Sequence, residues 1–582
     1  MKGRKQIMGL YEEAARSYDN MIDKVGEYEG NKYPLAPICH MVLPVDIEIK
    51  IDSDGNFISA NELVVEVETV DKKGKTKITT EKRQTILPVT ESSMGGRTGN
   101  VDPHALTDQL GYFSEKIDAA RYEAYTTALA KFCEYTDNNS VHAIYKYVTN
   151  GDILGDLERC GLEVNEKTWI TWNVDGKSIW CDKEVFNVWI DYYTNVIKEN
   201  ETCDSYMSNI YAGKGKIIST NNEQNYVGRF LNKEEACSND FVTTQKAERF
   251  LRWICKNEGV QIGNSLYVCW NPKTAKAISA TFSFMKDKTC ETMEQYKDEL
   301  KKELFAVCDN KDMLDKVVIV GLNSLFGKRT SVCYYSEFKK SDFYERLAKW
   351  DETCVYYNTF EKSLTTVPLY KIIKYAYGTQ QGDFFDLDDK VFAIKMQNII
   401  RCRLNGYPIT KELAQKLFDK SKNLVSYKNT NRINIINIAA AMVNKYYIDN
   451  KKGEFDMANV EEKKMDRSYQ FGRLLAIFDR IEKLATEQND RDTTALKLER
   501  RYCDRPLSTA MMIKKNIDRP YLSKLKEGQK VYYTKMINDI IETIVELGGD
   551  NDRPLSESFI VGYSIQQNSF FRKKETAKTE EI

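Results

Sequence analysis

The chain has 582 residues, 42% of apolar types and 29% charged, so it can bury large cores and still carry a charged surface. Lys and Arg number 85 against 86 Asp and Glu, so a polyanion must be held by local patches rather than by a global positive field. The only histidines are His40, His104 and His142, which excludes a His-ligated metal site, a Ser-His-Asp triad or a His-Asp nuclease centre built wholly beyond residue 142.

The basic start Met1-Lys2-Gly3-Arg4-Lys5 leads into Leu10-Tyr11-Glu12-Glu13 and not into an apolar signal core, so a cytoplasmic protein is expected. Tyr11, Ala14, Ala15, Tyr18, Ile22 and Val25 recur at helical spacing and predict a helix from Met8 to about Val25. Alternation over Asp46–Ile51 predicts a strand, with Ser53-Asp54-Gly55-Asn56 as its hairpin turn. Strands at 63–70 and 77–87 flank a second turn at Lys72-Lys73-Gly74-Lys75. A glycine-rich loop follows at 91–100, and helices are expected over 105–137. Further on, strands are expected at 168–172 and 178–181 around Asp175-Gly176, helices at 186–197 and 244–255, and strands at 265–270, 316–320 and 330–335. From about Asp389 the chain reads as helical. Phe471, Leu474, Leu475, Phe478 and Ile481 make one apolar face; Tyr533, Met536, Ile537, Ile540, Ile541, Ile544 and Val545 make another, closed by Gly548-Gly549. The predicted fold class is α+β: a mixed N-terminal region with β-hairpins and helices, then a C-terminal antiparallel helical bundle. The predicted division is 1–150, 151–453 and 454–582, the last boundary falling at Asn450-Lys451-Lys452-Gly453.

Fourteen cysteines suggest a metal or disulfide framework, but no CxxC pair exists, so buried reduced thiols are the reading. The apolar run Ile438–Val443 is too short to span a bilayer. The strand and loop Val317–Thr330 imitate a phosphate loop, but five residues separate Gly321 from Gly327, and Arg329 stands where Ser or Thr is required. What remains there is a strand-loop-strand tipped by Lys328 and Arg329, a candidate for nucleic-acid phosphate. In the loop Gly95-Gly96-Arg97-Thr98-Gly99-Asn100, glycines permit close backbone approach and Arg97 can reach a phosphate or a base edge; a plain surface loop is the alternative. Between Lys497 and Lys535 eleven Lys and Arg face four acids, a net +7, with Tyr502 and Tyr521 interleaved. Arg500, Arg501, Arg505, Lys514 and Lys515 make this a candidate backbone-tracking surface; the alternative is a set of solvated helix faces. Asp383, Asp386, Asp388 and Asp389 could hold magnesium, but acids at a helix start more often serve as caps.

Several segments together carry a resemblance. Leu87-Pro88-Val89, then Arg97-Thr98-Gly99, Pro103, Leu106, Asp108 and Tyr112 form one block; Val320-Gly321-Leu322 with Ser331-Val332 form a second. Tyr469, Phe471-Gly472-Arg473-Leu474 and Ala476 form a third, and Phe559-Ile560-Val561-Gly562-Tyr563 with Gln566 and Phe570 a fourth. In order and spacing they resemble the large subunit of the type I-C CRISPR Cascade surveillance complex, the Csd-type CRISPR-associated proteins. The family usually places a basic residue just before its Arg-Thr pair. Here Glu91 to Gly96 stand upstream, so the loop is longer and less basic, and a contact carried by that charge does not transfer.

The resemblance implies a non-enzymatic subunit without cofactor, metal or membrane association. It implies binding to CRISPR RNA at its 5′-handle end beside the backbone and handle-binding subunits, and recognition of a protospacer-adjacent motif in target DNA. Assistance in duplex opening and R-loop stabilisation, and recruitment of a helicase-nuclease in antiviral defence, complete the picture. It also implies that the C-terminal segment is made separately as a small subunit by internal translation, with Met457 and Met465 as suitable starts. On this reading Gly95–Asn100, with His104 in the following turn, form the duplex-reading element. Lys328, Arg329 and the 497–535 cations contact nucleic-acid backbone. The alternatives are a large subunit of another type I subtype, a magnesium-dependent nuclease using Asp383–Asp389, and a purely structural oligomerising protein.

Overall fold

The first helix, α1 (Leu10–Asp19), buries Tyr11, Ala14, Ala15 and Tyr18, the face set by their spacing. A computed structural model describes residues 9–70, 76–90, 93, 101–197, 241–262, 265–278, 316–323, 331–359, 362–462, 466–486 and 491–571. The helix stops short of the predicted Val25. Asn20 ends it, its side-chain amide donating to the Pro272 carbonyl at 2.9 Å, and one 3₁₀ turn follows at Ile22–Lys24.

The chain forms two compact units, the first comprising Met1–Gln261, Ser265–Ala277 and Asp315–Glu337. Its early strands are β1 (His40–Pro44), β2 (Ile47–Ile51), β3 (Phe57–Glu62), β4 (Val64–Val70), β5 (Thr76–Lys82), β6 (Gln84–Pro88) and β7 (Asp108–Gln109). The predicted hairpin turn joins β2 to β3: Asp52 accepts the amides of Asp54 and Asn56, and Gly55 takes φ +81°. The predicted 77–87 strand is two. It breaks at Arg83, whose amide donates to the Leu63 carbonyl; β5 stays in the exposed hairpin with β4, while β6 pairs with β1.

Helices α2 (Ala119–Tyr135), α3 (Asn139–Asn150) and α4 (Ile153–Arg159) precede β8 (Trp169–Val174) and β9 (Lys177–Ser178). The helix expected from residue 105 begins only at Ala119, where Asp118 caps it by accepting the Arg121 amide; before it lies a single 3₁₀ turn, Leu110–Tyr112. Strand β8 runs parallel to β2 (Ile47 opposite Ile170) and antiparallel to β7, giving the order β3-β2-β8-β7, with β9 beside β8. The strand expected at 178–181 is mostly a 3₁₀ turn, Ile179–Cys181. Helix α5 (Lys183–Tyr192), capped by Asp182, starts earlier than predicted and widens into a π turn over Tyr193–Ile197. Helix α6 (Phe241–Glu258) lies along α1, and a second sheet follows in the order β10 (Val260–Ile262), β11 (Ser265–Trp270), β12 (Lys316–Asn323) and β13 (Ser331–Lys339). Every residue of β11 is buried, as are Val317 to Val320 of β12, which is why both read as unbroken apolar runs.

The second unit comprises Ile262–Asn264, Ile278–Leu314 and Phe338–Ile582. Helices begin before the predicted Asp389. Helix α7 (Lys340–Thr353), the hairpin β14 (Val355–Asn358) and β15 (Ser363–Thr366), α8 (Leu369–Tyr377), and the hairpin β16 (Thr379–Gln381) and β17 (Phe384–Asp386) come first. Then follow α9 (Asp389–Asn405), α10 (Lys411–Ser421), α11 (Asn429–Asp449), α12 (Arg467–Thr486), α13 (Thr494–Lys497), α14 (Glu499–Asp504), α15 (Pro506–Asp518), α16 (Glu527–Glu546) and α17 (Ser558–Ser569).

Helix α12 is the axis of this unit. Fourteen of its twenty residues are buried, so the predicted apolar face is one side of a helix covered nearly all round. Helix α16 keeps a one-sided pattern, with Tyr533, Ile537, Ile540 and Ile544 buried and Val545 54% exposed. Its end is the predicted glycine cap: Gly548 takes φ +61° and the Gly549 amide donates to the Ile544 carbonyl. Mixed sheets in one unit and packed helices in the other make the fold α+β. Among the described residues no helix is long and apolar enough to cross a membrane.

Candidate nucleic-acid interface

The loop proposed to read duplex DNA, Gly95, Gly96, Arg97, Thr98, Gly99 and Asn100, lies outside the described residues, but both of its anchors are described. Upstream, Leu87 and Val89 are buried and the Val89 amide donates to the Cys39 carbonyl. The Thr90 amide then donates to Ser93 Oγ at 2.9 Å, and Ser93 Oγ donates to the Thr90 carbonyl. Downstream, His104 Nδ1 lies 2.9 Å from the same Ser93 Oγ. With the Ser93 proton given to Thr90, the ring supplies the hydrogen of this bond from Nδ1. Ser93 and His104 thus tie the two ends of the loop together.

His104 is 3% exposed, its ring stacked 5.7 Å from that of Trp169. It therefore meets the protein interior and not solvent. The residues after it explain the first block of the resemblance. Asp108 is buried and accepts the amides of His104 and Gln109, each at 2.7 Å. Leu106 takes φ +61° and its carbonyl accepts the Trp172 indole N–H. Tyr112 is buried with the guanidinium of Arg121 over its ring. The Pro103–Tyr112 pattern is a rigid turn pinned to β8 by hydrogen bonds that a helix would not make.

The third and fourth blocks meet in the second unit. Helices α12 and α17 cross so closely that a Cβ on Gly472 would overlap the Phe559 carbonyl, and one on Gly562 would overlap the Tyr469 carbonyl. Arg473, 4% exposed, donates from Nε to Gln566 Oε1 at 3.0 Å and from Nη1 to Gln470 Oε1 at 2.8 Å. These residues build the core rather than a binding surface.

Of the candidate backbone contacts, Lys328 and Arg329 lie outside the described residues. Arg500, Arg501 and Arg505 are exposed on and beside α14, and Lys515 is exposed on α15, where Lys514 pairs with Asp518 at 2.8 Å. Arg505 is near enough to Asp552 for its charge to help lower that carboxyl, and Arg500 lines a cleft with residues far away in sequence. That cleft, about 640 Å³, holds Lys416, Lys420 and Lys422 of α10 and its following turn, with Tyr377, Tyr427, Asp419 and Asp504. Its lysines drew no attention in the sequence. Their only signal is the four-residue spacing of Lys416 and Lys420, which places both on one face of α10.

The acids at Asp383–Asp389 have local duties. Asp388 caps α9 by accepting the amides of Lys390 and Val391, and Asp383 pairs with Lys428 at 2.8 Å. Among the described residues no group of three or more His, Cys, Asp or Glu is arranged to hold a metal ion. The ten described cysteines are unbridged thiols, and burial pushes those of Cys255 and Cys354 up to about 12.

No curated protein matches the chain. A family model described as CRISPR-associated protein (Cas_Csd1) matches residues 15–571, spanning all four blocks that carry the resemblance. The chain belongs to the Cas_Csd1 family of CRISPR-associated proteins.

Proposed function

We propose that the chain is the large subunit of a type I-C Cascade complex. It binds the 5′-handle end of CRISPR RNA beside the backbone subunits and reads a protospacer-adjacent motif in duplex DNA. It assists duplex opening and R-loop stabilisation, and it recruits the helicase-nuclease without cleaving DNA itself. The observation that carries this reading is the family match over residues 15–571. In this division of labour the protein reads a short duplex motif and base pairing with the guide reads the rest. Gly95–Asn100 are assigned to the groove, with Arg97 on a phosphate or base edge. His104 is assigned to hold the loop base through Ser93, a contact 2.9 Å long. Lys328, Arg329, Arg500, Arg501, Arg505, Lys514 and Lys515 are assigned to nucleic-acid backbone. Residues 454–582 are assigned as the small-subunit-like segment.

The test uses the complex assembled with its CRISPR RNA. Arg97→Ala is expected to weaken binding to motif-bearing duplex by about tenfold, the worth of one good base or phosphate contact, and to leave binding to pre-opened DNA nearly unchanged. Equal loss on both substrates would remove the groove-reading role.

A further inference from the structure

The cleft beside α10 gathers cations with few acids to neutralise them. Lys416, Lys420, Lys422 and Arg500 stand against Asp419 and Asp504. Asp419 is already engaged by Lys422 at 3.1 Å. Lys416 and Arg500 are exposed, with no ion pair among the described residues. Lys420 is half-buried. Its ammonium donates to the Gly378 carbonyl and sits 4.7 Å over the Phe385 ring, with no carboxylate beside it. A half-buried ammonium facing another lysine is costly unless an anion joins it. Tyr377 and Tyr427, each half-buried in the same wall, offer aromatic surface next to that charge.

We infer that this cleft is a phosphate site that takes the backbone of single-stranded nucleic acid, with Lys416, Lys420 and Arg500 on phosphate oxygens and the tyrosines beside the neighbouring base. Cations tracking the backbone, with aromatic faces between them, are what a strand without sequence preference requires. The inference rests on the nucleic-acid-binding reading proposed above and joins Arg500 of the 497–535 stretch to lysines of α10 that lie outside it. The ammonium of Lys420 supports it: burial, and then the charge of Lys416, lower it to about 8. The other titratable and charged groups that face it across the cleft are Tyr377, Tyr427, Lys422, Arg500, Asp419 and Asp504. Tyr377 is pushed up to about 12 and Tyr427 is raised, both chiefly by burial.

The experiment measures anisotropy of a labelled single strand of about 20 nucleotides with the full chain over a range of salt. Because Lys416 and Arg500 are exposed, the double variant K416Q/R500Q keeps its fold. It is expected to bind about tenfold more weakly, with the log-log salt slope reduced by about 1.4 for two lost contacts. Raising the pH from about 7 to 9.5 should weaken wild-type binding, whereas K420R, which keeps its charge, should hold its affinity. Wild-type binding with a slope unchanged in K416Q/R500Q would overturn the cleft and leave the proposed function standing. No wild-type binding to any strand would count against both. A thermal shift with inorganic pyrophosphate that K416Q/R500Q abolishes, without any oligonucleotide effect, would make this a small-anion site and overturn the nucleic-acid assignment.

Discussion

Glu499 shows how little its own neighbours reveal about a residue. It lies among the arginines of the +7 stretch, in Leu498-Glu499-Arg500-Arg501, and reads as a solvated acid. In the fold it is 0% exposed and one carboxyl oxygen accepts the Leu424 amide at 3.0 Å. Burial pushes the carboxyl up to about 8, aided by the charge of Asp479 and opposed by the Leu424 amide and Arg432. The native protein then holds a proton that the unfolded chain releases above the ordinary value of 4.5. Stability is therefore lost as pH rises from about 4.5 to about 8 and is level beyond. Glu499→Gln carries no proton to lose, and it should be more stable than wild type by on the order of 4 kcal/mol at pH 8, with the gain vanishing near pH 4.5. Urea unfolding at the two pH values checks this; a difference that does not grow across the window would show the acid is ionised in the fold. His40 behaves in the opposite sense, its ring fully buried and lowered to about 4 by that burial. Counting three histidines was enough to exclude chemistry. That His40 and His104 are interior, and that His142 Nε2 contacts the Thr136 carbonyl at 2.7 Å, depends on contacts the count does not contain.

Among elements, the pairing of α12 with α17 carries the clearest physical reason for two motifs. Gly472 and Gly562 were legible as members of separate patterns, 90 residues apart in the chain. That each glycine admits the other helix's carbonyl, and that Arg473 reaches Gln566, became visible only with both helices in place. Hairpins were easier to read, because turn chemistry is local: Asp52, Gly55 and Asn56 act within five residues. Positions 105–118 were misread as helix because apolar residues recur there, while the deciding bonds from Asp108, Leu106 and Thr107 reach the sheet or close the turn. Gly472→Ala is expected to force α12 and α17 apart and to cost about 2–3 kcal/mol or more, since backbone and not a movable side chain meets the new methyl. Gly528→Ala, where a Cβ meets nothing, is the matched control and should be neutral or slightly stabilising. Equal unfolding midpoints for the two variants would show that α12 and α17 have room to spare.

The whole molecule divides into two compact units near Glu337 and Phe338, while the proposed small-subunit segment begins deep inside the second. Residues ahead of α12 discriminate between its two suggested starts. The Glu461 amide donates to Tyr469 Oη at 3.2 Å, and the Glu462 carbonyl accepts from Gln470 Nε2 at 3.0 Å and Arg473 Nη1 at 3.1 Å. A product beginning at Met457 keeps these bonds and the buried Met457 side chain. One beginning at Met465 loses both glutamates and leaves Arg473, nearly buried, with one fewer acceptor. Leaving a buried guanidinium short of a partner costs about 1–3 kcal/mol. Either product also sheds α11 and α10, so that the α17 surface facing Phe418 and Asn437 must be covered by something else. Met457 is therefore the start expected to give a persistent product. With the gene expressed at its natural length, Met457→Leu should abolish the small C-terminal product on a blot against the C-terminus, and Met465→Leu should leave it. A product that survives Met457→Leu and disappears with Met465→Leu would mean that the 457–464 segment is dispensable to the folded helices, and that the contacts of Glu461 and Glu462 do not decide where the segment can begin.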